Sequence, residues 1–161
     1  MNKPDEQIKP VNVGILGLGT VGGGTATVLR RNAEEIARRA GREIKLLAAS
    51  VRDINKPRDV NVDGILLTED SNEIVNHPDI DIVLELIGGT DLARDLVLRA
   101  ISNGKHVVTA NKALIALHGN EIFLAAQRKG VTVAFEAAVA GGIPIIRAIS
   151  EGLAGDQIEW L

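Results

Sequence analysis

The chain has 161 residues, 45% of them apolar, 24% charged and 2% aromatic, with a formal charge of −3. That length suits one globular domain that buries roughly two-thirds of its unfolded surface around an aliphatic core. The acidic balance and scarce aromatics argue against a nucleic-acid binder, and the lack of cysteine excludes disulfides, thiolate metal sites and cysteine nucleophiles.

Residues 1–10 read as a polar tail without the apolar stretch of a leader, and no apolar run is long enough to span a membrane. A cytoplasmic protein is expected. Residues 11–16 form a short β-branched strand that runs straight into a glycine-rich turn. Apolar residues Val21, Val28, Leu29, Ile36 and Ala37 predict one helix over 20–40, stopped at Gly41. A second strand covers 44–51. The polar stretch 52–62, which contains Pro57, is a loop, and a weak strand follows at 65–67. Asp70 is placed to cap a short helix that Pro78 closes.

A third clear strand covers 81–87 and ends at Gly88-Gly89. Leu92, Ala93, Leu96, Val97, Ala100 and Ile101 make a helical stripe that stops at Asn103-Gly104. Strand 106–109 follows, then a helix over 113–129 with a break expected at Gly119, then strand 131–135. Gly141-Gly142 and Pro144 open a helix to about residue 151, and 157–161 begin a further strand. The alternation predicts an α/β domain over 11–156, a doubly wound, mostly parallel sheet with helices on both faces. Residues 157–161 are expected to start a further substrate or dimerisation domain.

Gly17-Leu18-Gly19-Thr20-Val21-Gly22 matches G-x-G-x-x-G between a strand and a helix, the context of a Rossmann-like dinucleotide site. The first glycine permits the tight turn, the second lets backbone approach a pyrophosphate, and the third allows close helix–strand packing. Amides at the helix start then hold the phosphates. Near the end of the second strand, Arg52, Lys56 and Arg58 favour the 2′-phosphate of NADP, whereas Asp53 can serve the ribose of NAD.

Thr109-Ala110-Asn111-Lys112 follows the carboxyl end of a strand, where ligands of open sheets sit. Lys112 there can stabilise developing alkoxide charge, or can simply be a surface lysine at a helix start. Glu136, with the irregular backbone to Pro144, can offer oxygen ligands to a hard cation, or form a helix-entry turn. Glu85, inside an apolar strand, needs a partner, either structural or toward the cofactor crevice. His77, His106 and His118 have no partner at metal-ligand spacing and read as structural.

In sequence order, the glycine turn, Val51-Arg52-Asp53, Glu85-Leu86-Ile87-Gly88-Gly89-Thr90, residues 109–116 and residues 136–146 resemble the N-terminal part of homoserine dehydrogenase. The resemblance runs from about Val11 to Leu161. It implies reduction of aspartate semialdehyde to homoserine with NADPH or NADH, in the route to threonine and methionine. It implies that Thr20, Val21, Thr90 and Lys112 contact the cofactor, with Lys112 also near the reacting substrate; Gly89, Ala110 and Asn111 beside them are further cofactor-binding candidates. Glu136, Val139, Gly141 and Ile143 match the family's monovalent metal site, assigned to sodium. A homo-oligomeric parent is implied too. The family's acidic substrate-binding residues and its proton-transferring lysine would lie beyond Leu161. Hydride transfer needs cofactor and aldehyde within roughly 3–3.5 Å, so the chain alone is expected to be inactive. Two rivals stay open: another nicotinamide-dependent amino-acid dehydrogenase, and a non-catalytic dinucleotide-binding module.

Overall fold

The computed structural model describes residues 8–139, 143–147 and 151. Six strands, β1 (Val11–Leu16), β2 (Ile44–Ser50), β3 (Leu66–Thr68), β4 (Ile82–Glu85), β5 (His106–Thr109) and β6 (Val133–Ala134), form one sheet in the order β3-β2-β1-β4-β5-β6. Every pairing is parallel. Helices α1 (Thr20–Arg31), α2 (Ala33–Ala40), α3 (Ser71–Asn76), α4 (Asp91–Ser102) and α5 (Lys112–Lys129) connect them, and short helices follow at Glu136–Ala138 and Ile145–Arg147.

Alternation along β1 splits its side chains between two aliphatic cores. Val13 and Ile15 pack with Ala26 of α1, Ala49 and Leu84. Leu16 joins the other core with Ile74 and Val75 of α3, Val97 of α4, and Leu114 and Ile122 of α5. Strand order reverses between β1 and its neighbours β2 and β4, which opens a crevice at the carboxyl ends of these strands.

Three local expectations are corrected. The single helix over 20–40 is two helices, because Asn32 leaves helical geometry (φ −106°, ψ 19°) between them; asparagine competes poorly in helix interiors. The break at Gly119 does not occur: α5 runs through it, and Gly119 is buried. One interior glycine costs about 1 kcal/mol, which the burial of Leu114, Ile122 and Ala126 on the same helix outweighs. The strand over 131–135 contracts to a two-residue edge strand, held only by pairing of Val133 and Ala134 with β5. Asp70 does cap α3, accepting from the Asn72 amide. Residues 141–142 and 157–161, where a helix start and a further strand were expected, lie outside the described residues.

Lys105, between α4 and β5, is only 4% exposed. Its ammonium donates to the carbonyls of His77 (2.5 Å) and Ile80 (2.7 Å), pinning the α3–β4 turn under the sheet. Burial holds its pKa below the ordinary lysine range, against the pull of Asp81 and Asp79. Lys105→Met is expected to cost about 1–3 kcal/mol, because two carbonyls lose their charged donor. The unfolded chain keeps this proton to higher pH than the folded one. Wild-type stability relative to Lys105→Met therefore rises with pH between the lowered folded value and the ordinary lysine value. Denaturant titrations of both proteins at neutral and alkaline pH check the size and the direction.

A dinucleotide cleft at the switch point of the sheet

β1 delivers the chain into Gly17, whose φ of +92° lies in the left-handed region that glycine tolerates. The Gly17 amide donates to the Ser50 carbonyl at 3.0 Å, tying the turn to the end of β2. Gly22 packs α1 onto this turn so closely that an added Cβ would lie 1.8 Å from the Gly17 carbonyl oxygen. Gly19 differs: a Cβ there would meet nothing within 4 Å. Gly19 is the N-cap of α1, with no side-chain cap and no acidic residue in the first turn. The helix therefore presents bare amides and the positive end of its dipole to the crevice.

Gly17, Leu18, Gly19 and Thr20 line a cleft of about 880 Å³, and Arg52, Lys56 and Arg58 line it at the β2 side. Leu86, Ile87 and Gly88 form the opposite wall, where Leu92 stands 62% exposed. Gly22 is buried beneath the turn, and Val21 is exposed beside it; neither lines the cleft. Gly89, Thr90, Ala110, Asn111 and Lys112 lie past its β4 end rather than on its wall.

The three cations of the 52–58 loop are not equivalent. The Arg58 guanidinium donates to the carbonyls of Asp53, Ile54 (3.1 Å) and Lys56 (2.7 Å), so it knits the loop together. Among the described residues, the Arg52 and Lys56 side chains have no partner and are free for an anion. The Asp53 carboxylate accepts the Asn55 amide at 2.9 Å in its own turn. Glu69 also lines the cleft, and its carboxylate accepts the Ile54 amide at 2.8 Å. Sequence reading passed over Glu69. Its signal is its place at the carboxyl end of β3, the same edge that bears every other part of the cleft.

Beyond the cleft, after β5, Asn111 caps α5 by accepting the Leu114 amide at 3.1 Å. Its Nδ2 donates to the Gly89 carbonyl at 2.6 Å, which brings the β4–α4 and β5–α5 turns together. Lys112 is the first residue of α5, exposed and without a partner among the described residues. Glu136 accepts the amides of Ile146 and Arg147, each at 3.0 Å, so its carboxylate caps a helix. Val139 and Ile143 lie nearby in sequence, and Gly141 is outside the described residues. His77 and His106 each accept a backbone amide through Nδ1, in keeping with structural roles. Among the described residues no group of three metal-ligating side chains occurs, and no helix is long and apolar enough to cross a membrane.

A parallel sheet in this order, with a glycine turn and bare helix amides at its switch point, defines a Rossmann-type dinucleotide-binding domain. Residues 17–136 match the family model described as homoserine dehydrogenase, NAD binding domain. The chain belongs to that family. It is 63% identical over 154 residues to a homoserine dehydrogenase from Pseudomonas aeruginosa, covering 96% of this chain and 35% of that protein. A homoserine dehydrogenase from Neisseria gonorrhoeae is 56% identical over 152 residues, covering 94% of this chain and 35% of that protein. A crystal structure of a homoserine dehydrogenase from Thiobacillus denitrificans superposes with a TM-score of 0.88 at 64% identity, covering 94% of this chain and 35% of that one. The chain thus spans about a third of the length of these relatives.

Proposed function

We propose that this domain holds NADP(H) for a homoserine dehydrogenase, which interconverts homoserine and aspartate semialdehyde on the way to threonine and methionine. The observation that supports it best is the open approach at Gly19 above a turn sealed by Gly22, in a family whose matched part is the cofactor domain. The Gly19 and Thr20 end of α1 would take the pyrophosphate, and the free Arg52 and Lys56 the 2′-phosphate. Thr90 and Lys112 would stand at the nicotinamide end, with Gly89, Ala110 and Asn111 shaping their turns. Bound NADP supplies the hydride acceptor. Lys112 would orient the substrate oxygen and stabilise its charge as the carbonyl forms or is reduced.

Substrate-binding and proton-transferring groups, and assembly into a homo-oligomer, belong in this reading to the remainder of a longer protein. A monovalent cation, sodium by the resemblance, would be held by oxygens of the segment from Glu136 through Val139 and Gly141 to Ile143. The Glu136 carboxylate already accepts two amides, so main-chain carbonyls are the ligands this donor set favours. Homoserine oxidation by the chain alone and by the full-length enzyme tests the division of labour. The chain is expected to be inactive and the full-length enzyme active; robust turnover by the chain alone would overturn it.

Cofactor choice has its own test. Arg52→Ala is expected to weaken NADP binding by roughly 1.5–3 kcal/mol, the worth of a hydrogen bond to a charged group. NAD affinity should change far less. Equal losses in calorimetric titrations with the two dinucleotides would remove Arg52 from the 2′-phosphate site.

A further inference from the structure

Glu85 is completely buried at the end of β4, and no described lysine or arginine pairs with it. Its Oε2 accepts the Thr109 hydroxyl at 2.5 Å, from the residue directly opposite on β5. Its Oε1 accepts the amides of Ile87 (3.2 Å) and Gly88 (3.3 Å) in the turn that follows β4. Thr109 Oγ1, having donated its proton to Glu85, accepts the Asn111 amide at 3.0 Å. Asn111 Nδ2 then closes the circuit onto the Gly89 carbonyl at 2.6 Å.

This ring does more than satisfy polar atoms. It fixes the Gly88–Thr90 turn and the Ala110–Lys112 turn against each other at the carboxyl edge of the sheet. All three donors point at Glu85, and the two carboxylate oxygens accept every one of them. A glutamine amide keeps the two backbone amides only by turning its N–H groups toward Thr109, whose hydroxyl must then rotate to accept them and no longer donates into the ring. A buried carboxylate without a cation is costly for a fold that could close this space with an aliphatic side chain. Its cost is better explained by what it positions.

We propose that Glu85 is a positioning residue, which acts through Thr109 and Asn111 to hold Lys112 over the reacting centre. The inference rests on the reading of Lys112 and the nicotinamide end given above. Small displacements of a group at the reacting centre are costly to turnover even when the substitution lies outside it.

The test uses the full-length enzyme. Glu85→Gln is expected to lower kcat for homoserine roughly 10- to 100-fold, with a smaller loss of NADP affinity, because Glu85 holds the Ile87 and Gly88 amides of one cleft wall while the Gly19 and Arg52 end keeps its contacts. Thr109→Val should give the same loss, and Thr109→Ser, which keeps the hydroxyl, should recover turnover. In a Lys112→Ala background, Glu85→Gln should add little further loss, since both act through one ammonium. An unchanged kcat in Glu85→Gln and Thr109→Val would overturn the proposal. So would losses that multiply fully with Lys112→Ala, because a residue acting elsewhere gives independent effects. A wild-type enzyme that fails to oxidise homoserine would overturn the underlying reading instead, which separates the two failures.

Discussion

Gly22→Ala is expected to destabilise the domain strongly, whereas Gly19→Ala should leave it folded and cripple the cofactor site. The new methyl of Gly22→Ala would sit 1.8 Å from the Gly17 carbonyl oxygen. That oxygen is main chain and cannot swing aside. Gly17 is anchored to Ser50, and its other side already faces the Leu86 carbonyl and the Ile87 side chain. Overpacking typically costs 1–3 kcal/mol and occasionally more; with backbone against backbone, about 3 kcal/mol or more is expected. A native domain has only about 5–15 kcal/mol to lose. Gly19 has φ −75° and an empty surround, so alanine there should change stability by less than about 0.5 kcal/mol. It would nevertheless put a methyl where the proposed pyrophosphate site lies, and NADPH affinity should fall roughly tenfold or more, about 1.4 kcal/mol. Urea melts and cofactor titrations of the two variants form the comparison. A Gly22→Ala protein as stable as wild type would contradict the packing argument.

Lys112→Ala carries the second large expected effect, on turnover rather than on folding. A cation in the first turn of α5 opposes the helix dipole at a cost of about 0.3–1 kcal/mol. No described partner rewards its placement, so the melting temperature should stay level or rise slightly. In the full-length enzyme kcat should fall by roughly 10²-fold or more, the usual loss when a donor to a developing oxyanion is removed. One variant thus reports both quantities. Unchanged turnover, or loss of turnover that merely follows loss of stability, would return Lys112 to the surface of a helix.

What the sequence made legible was local. Strand β1, the glycine turn and the start of α1 are contiguous, and each glycine's task follows from its place in the motif. Features set by distant partners were hidden. Glu85 stood out as a carboxylate in an apolar strand, but its partner Thr109 lies on β5 and is brought opposite by sheet register. The loop after β2 showed three cations, yet charge alone does not reveal that the Arg58 guanidinium is taken up by three carbonyls of its own loop. Lys105 is buried against the carbonyls of His77 and Ile80, partners that are distant in the chain and that no local pattern announces. Gly119 shows the reverse error, in which a real local penalty is outweighed by the burial of the whole helix. Asn32 does the opposite, since the α1–α2 stretch has a weaker buried face to carry it through.

The central claim, that the Gly17–Gly22 cleft holds a nicotinamide dinucleotide, is tested most directly by calorimetric titration of NADPH into the domain. Circular dichroism on the same sample fixes that the domain is folded. The account predicts saturable binding at one site per chain, tighter for NADPH than for NADH, and weakened by Gly19→Ala. A folded domain that binds neither dinucleotide, or binds both undiminished after Gly19→Ala, would contradict it.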